Sequence, residues 1–145
     1  MTHEDAGHYA AKHNEDTQFN ERIAAQVKAK AIDGQISCSI AHKIAADLEV
    51  APAEVGINVD FLEVRITKCQ LGLFGHSSQR QSPQPALHVD QELQRAIKAS
   101  LVNGRLPCAS AWKIGAKFGL SRMEVAAACD NQEIKICACQ LGAFK

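Results

Sequence analysis

The stretches CQLGLF at 69–74 and CQLGAF at 139–144 differ at one position and stand seventy residues apart in a chain of 145. Sliding the chain by seventy, without a gap, also places Gly34 on Gly104, Cys38 on Cys108, Lys43 and Ile44 on Lys113 and Ile114, Glu54 and Val55 on Glu124 and Val125, and Asp60 on Asp130. The chain is therefore read as a tandem repeat. The expected division is a polar tail over 1–18, a first copy over 19–75, a linker over 76–87 and a second copy over 88–145. A unit of that size buries only about 60% of the surface its unfolded chain exposes, so packing of the copies or association with a partner is expected.

Within each copy the same order of elements recurs. Ile23, Ala24 and Val27, matched by Leu93, Ile97 and Leu101, mark a first helix. It is expected to stop at Asp33-Gly34 and Asn103-Gly104, with glycine taking the left-handed conformation that ends helices. After a short extended piece, Ala41, Ile44, Ala45 and Leu48, or Ala111, Ile114, Gly115 and Phe118, form the apolar face of a second helix. In FGLSRMEV at 118–125, Gly119 permits a bend, and Ser121 with Glu124 spells a capping box for a third helix. The first copy puts Pro52 at the first helical position with Glu54 close behind, near the positive helix end. Val55, Val59 and Leu62 supply this helix's buried stripe. VRITKCQLG and IKICACQLG then alternate as half-buried strands.

The order is mainly α with short strands. With the GLS turn and its box, the apolar set Ala111, Ile114 and Phe118, and the strand ending in CQLG, it resembles a winged helix-turn-helix domain present twice. The second copy stops at Lys145 directly after its strand, so a full hairpin wing is not expected there. The strand before the second helix should pair with the one after the third, bringing Cys38 near Cys69 and Cys108 near Cys139. Phe74 and Phe144 would then fold back as plugs worth about 2 kcal/mol each if fully buried, and Gln70 and Gln140 would bond free backbone groups of the turn.

The resemblance implies that the third helix reads a DNA major groove. With Val55 facing the core, a rotation of about 100° per residue turns Ile57 and Phe61 outward, flanked by Glu54 and Asp60. That apolar, acidic face suits a protein contact, unless Ile57 and Phe61 merely cover the first helix. His42 and its counterpart Trp112, on the outer face of the second helix, complete the expected contact set. In the second copy Lys113, Lys117, Ser121, Arg122, Asn131 and Lys135 are the candidate DNA contacts, with Arg122 and Asn131 nearest base edges. Charge agrees in sign. Residues 88–145 carry eight cations and five anions, against six and seven over 19–75, although the whole chain balances at 16 each.

Catalysis is not expected. The chain shows no nucleophile beside a base and no phosphate-cradling glycine loop, and a catalytic His42 would be replaced by tryptophan in its own duplicate. The six cysteines are read first as small core residues. A redox pair in each copy, or zinc or an iron–sulfur cluster on Cys108, Cys129, Cys137 and Cys139, are the alternatives. Val59 and Thr67 stand in the first copy where Cys129 and Cys137 stand in the second, which argues against a metal, and no cofactor is expected. No apolar run approaches a membrane span. A cytoplasmic protein that self-associates or meets a protein partner is expected, with DNA as a possible ligand.

Overall fold

The computed structural model describes residues 19–75 and 89–145; the expected tail at 1–18 and linker at 76–87 lie outside the described residues. The first copy runs α1 (Glu21–Lys30), β1 (Gln35–Ser37), α2 (Cys38–Leu48), α3 (Pro52–Phe61) and β2 (Arg65–Thr67). The second runs α4 (Gln91–Ala99), β3 (Leu106–Pro107), α5 (Cys108–Phe118), α6 (Arg122–Asn131) and β4 (Ile136–Cys137). The architecture is mainly helical, and α2 and α3 reappear as α5 and α6 with both ends shifted by seventy. Backbone strain repeats as well. Asp33, Glu49, Glu63 and Lys68 have φ between 52° and 56°, and their counterparts Asn103, Gly119, Glu133 and Ala138 lie between 52° and 67°.

Local chemistry sets the helix starts. The Asn20 side chain accepts hydrogen bonds from the backbone N–H groups of Arg22 at 3.0 Å and Ile23 at 3.2 Å, opening α1. Ser37 caps α2 through a bond from the Ile40 N–H at 3.2 Å. The α6 capping box is complete: the Glu124 N–H donates to Ser121 Oγ at 3.1 Å, and the Ser121 N–H donates to Glu124 Oε2 at 2.6 Å. Pro52 begins α3 behind Ala51, which has no side chain able to cap it.

The end of the first helix differs from expectation. α1 finishes at Lys30 with Ala31 already extended, and Asp33-Gly34 comes later, as the corner of a tight hairpin. Ile32 and Gln35 exchange both backbone hydrogen bonds, at 2.9 and 3.0 Å, across two residues of positive φ, 53° and 73°. This is the two-residue turn that Asp-Gly and Asn-Gly favour, and Val102 and Arg105 repeat it around Asn103-Gly104. The turn delivers the chain directly into β1 or β3.

The expected strand pairing is present and parallel. Gln35, Ile36 and Ser37 face Arg65, Ile66 and Thr67, and Leu106 and Pro107 face Ile136 and Cys137. The strands after the third helices are shorter than the alternation suggests, because Lys68 and Ala138, both at φ 52°, bend the chain away. Among the described residues no further strand pairs with β2 or β4 to make a hairpin wing.

Two compact units result, and their membership departs from the repeat boundaries at the hexapeptides. Among the described residues, unit 1 comprises 19–69 with Gln140–Phe144, and unit 2 comprises 70–75 and 89–139 with Lys145. In unit 1, Ile23, Val27, Ile36, Ala41, Ile44, Val55, Val59 and Ile66 form the core; in unit 2, Leu93, Ile97, Leu106, Ala111, Ile114, Val125 and Cys129 do. The hexapeptide plug is leucine and not phenylalanine: Leu71 and Leu141 are buried, whereas Phe74 and Phe144 are half-buried.

Candidate interaction grooves

The third helices determine what each unit can present. In α3 only Ala53 and Glu54 are exposed, and in α6 only Glu124, Asp130 and Asn131. A helix apolar around most of its circumference is a core element. Asp60, expected beside Ile57 and Phe61 on an outward face, is buried, at 1% exposure. The rotation places it correctly relative to its neighbours, but packing encloses that side of α3 too. Ile57 and Phe61 are half-buried. The Phe61 ring stands edge-on to Phe19, with centroids 6.1 Å apart and planes at 70°, a favourable aromatic geometry.

Each unit has a groove beside its first and third helices. In unit 1 Phe19, Asn20, Glu21, Arg22, Ile23, Glu54 and Ile57 line a cavity of about 500 Å³. Unit 2 has its counterpart, about 380 Å³, where Asp90, Leu93, Glu124 and Ala127 stand for Asn20, Ile23, Glu54 and Ile57, joined by Phe118 and Leu120. Both grooves combine apolar with acidic lining and keep one glutamate at the same place, and the first also carries Arg22. Of the expected contact set, Glu54 and Ile57 line the first groove, and Phe61 adjoins it through Phe19. Phe19 was missed because it precedes α1 and fits no helical period; it is 48% exposed, unusual for an aromatic ring.

Trp112 and Arg122, expected to serve different surfaces, meet in unit 2. The Arg122 guanidinium lies over the indole, 3.5 Å from the ring centroid, a cation–π contact, and Nη1 donates to Gln70 Oε1. Arg122 thus stacks flat within its own unit, and Gln70 takes a side-chain donor in place of the expected backbone groups. The first copy has His42, half-buried on α2, where Trp112 stands, and Pro52 where Arg122 stands, so the stack is not repeated. Lys113, Lys117 and Lys135 are exposed, as are Ser121 and Asn131. Ser121 is committed to the α6 cap, and the Lys117 ammonium lies 5.7 Å from the Phe118 ring centroid.

Cys38, Cys69, Cys108 and Cys129 are buried, while Cys137 and Cys139 are half-buried. Burial, reinforced by the nearby Asp130 carboxylate, pushes the Cys129 thiol up to about 11 from its ordinary 9.0. Among the described residues no three His, Cys, Asp or Glu side chains converge as metal ligands, and no helix is long and apolar enough to cross a membrane. No family model matches the chain, and neither does any curated protein or solved structure.

Proposed function

We propose that the chain is a non-catalytic, cytoplasmic interaction protein of helix-turn-helix descent, whose two units each offer an apolar, acid-rimmed groove to a protein partner. One observation carries this reading: the groove recurs at equivalent positions, with Glu54 on one rim and Glu124 on the other. A phosphate backbone would meet these carboxylates unfavourably, whereas an apolar side chain flanked by lysine or arginine would find both a floor and a counter-charge. Two such sites on one chain would also allow a partner with two matching segments to bind by avidity.

DNA contact by unit 2 is the second reading, supported by the exposed Lys113, Lys117 and Lys135. It is the weaker one, because the open face of α6 carries Glu124 and Asp130 and the Arg122 guanidinium is already engaged. Anisotropy titrations with a labelled leucine- and lysine-rich helical peptide and with a mixed-sequence duplex, both at about 50 mM salt, separate the two. The groove reading expects the peptide to bind and Ile57→Asp with Ala127→Asp to weaken it at least tenfold, since about 1.4 kcal/mol corresponds to that factor. Duplex binding that disappears on Lys113→Glu with Lys117→Glu, without peptide binding, would replace it by the DNA reading.

A further inference from the structure

In unit 1 the segment 140–144 lies in backbone contact with α3. A Cβ on Gly56 would overlap the carbonyl carbon and oxygen of Leu141 and come within 3.1 Å of its Cα, so the close approach depends on glycine. Seventy residues on from Gly56, Ala126 of α6 carries the methyl that this contact does not admit. Residues 70–75, which belong to unit 2, therefore cannot lie against α6 as residues 140–144 lie against α3.

The two units differ in cover at the positions around this contact. In unit 1 Asp60, Val64, Ile66 and Ala143 are buried. Their counterparts in unit 2 are open: Leu73 and Asp130 are exposed, and Ile134 and Ile136 are half-buried. All four counterparts line, with Ala126, a cavity of about 490 Å³, a volume within the range of about 300–1,000 Å³ typical of small-molecule sites. Leu73, Ala126, Ile134 and Ile136 give it apolar walls. Asp130, four residues along the Ala126 face of α6, and Glu133 bring two carboxylates to it, against the single ammonium of Lys135.

We propose that this cavity of unit 2 binds a small organic cation, an ammonium group on a short apolar chain, and that the Ala126 methyl keeps it open. The apolar chain takes the place of water along the walls, each methylene adding to affinity, while the ammonium meets the carboxylates that outnumber Lys135. A carboxylate on the same chain would meet them unfavourably. What unit 1 covers with its own segment, unit 2 leaves to a ligand. The cavity shares no lining residue with either groove, so failure of the basic peptide to bind the grooves leaves it unaffected.

Titration of the full chain with hexylammonium, hexanol and hexanoate, followed by amide and methyl chemical shifts in NMR, tests the proposal and needs no variant to fold. Hexylammonium should give saturating shifts at Leu73, Ala126, Ile134 and Ile136 and bind about threefold more tightly than hexanol, a factor of the size expected for exposed ion pairs; hexanoate should be the weakest. Asp130→Asn with Glu133→Gln changes two exposed side chains, and should bring hexylammonium down to hexanol while hexanol binds as before. Ala126→Gly should weaken both, because residues 70–75 can then close on α6, although the substitution itself removes an atom from the wall. Equal affinity for the three probes, shifts confined to Ile57, Leu93 and Ala127 of the grooves, or an Ala126→Gly chain that binds as tightly as the unaltered one would overturn it.

Discussion

Asn58 is 1% exposed, and its two polar atoms are both used. Its Oδ1 accepts from the Asn20 N–H and its Nδ2 donates to the Glu54 carbonyl, each at 2.9 Å. The side chain pins the start of α1 to the middle of α3, next to the first groove. Unit 2 has the buried Ala128 at this place, so the clip is an addition made in one copy. Asn58→Ala should cost about 1–3 kcal/mol in urea unfolding, from two lost hydrogen bonds at about 0.5–1.5 kcal/mol each. Cys129 offers a test by pH. Its folded pKa lies above its ordinary value, so the folded state holds the proton longer than the unfolded one. Its contribution is full below pH 9.0 and is lost as pH rises through about 11. Cys129→Val, which installs the residue found at position 59, should flatten that alkaline decline; an unchanged pH profile would show that other groups cause it. The sequence disclosed the partnership of Ser121 and Glu124 completely, because a capping box is local. It did not disclose that Arg122 lies on Trp112, since that contact depends on how α5 and α6 cross.

At the scale of elements, the copies reach one backbone by different capping chemistry. α2 has a serine cap and α5 has Pro107, which cannot cap; α6 has a full box and α3 has Ala51, which cannot either. Ala51 is exposed and already adopts the extended geometry of a cap, with φ −69° and ψ 144°. Glu54 stands three residues on, so Ala51→Ser should create a second box and raise stability by about 0.5–1 kcal/mol, while Ser121→Ala should lower it by about 1 kcal/mol. Thermal melts of the two variants check both signs. Helix positions were legible because apolar spacing and caps are short-range signals. The Asp-Gly and Asn-Gly pairs carried a second meaning, since glycine both ends helices and turns hairpins, and Ile32 and Val102 flanking them favour the hairpin. The outward face assigned to α3 rested on rotation alone, which fixes angles between neighbours but not how many sides of a helix become covered.

For the whole molecule, the offset of seventy organises the fold: matching second and third helices, matching hairpin turns and paired left-handed residues follow from it. The same regularity concealed which unit each hexapeptide serves. Two segments differing in one residue of six look interchangeable in sequence, and the close approach of the Leu141 backbone to Gly56 is a contact that no periodicity announces. Charge had the opposite fate. The excess of cations over 88–145 was evident from a count, yet its meaning depends on the exposed glutamate and aspartate of α6, which a count does not place.

Membership of residues 140–144 in unit 1 also bears on when, during synthesis, the first unit can be completed. A ribosome that has released α1, α2, α3 and β2 has produced nearly all of the first unit, yet the leucine that closes it is still some seventy codons away. The half synthesised first must therefore wait, with Gly56 of α3 not yet met by Leu141, for the half synthesised last.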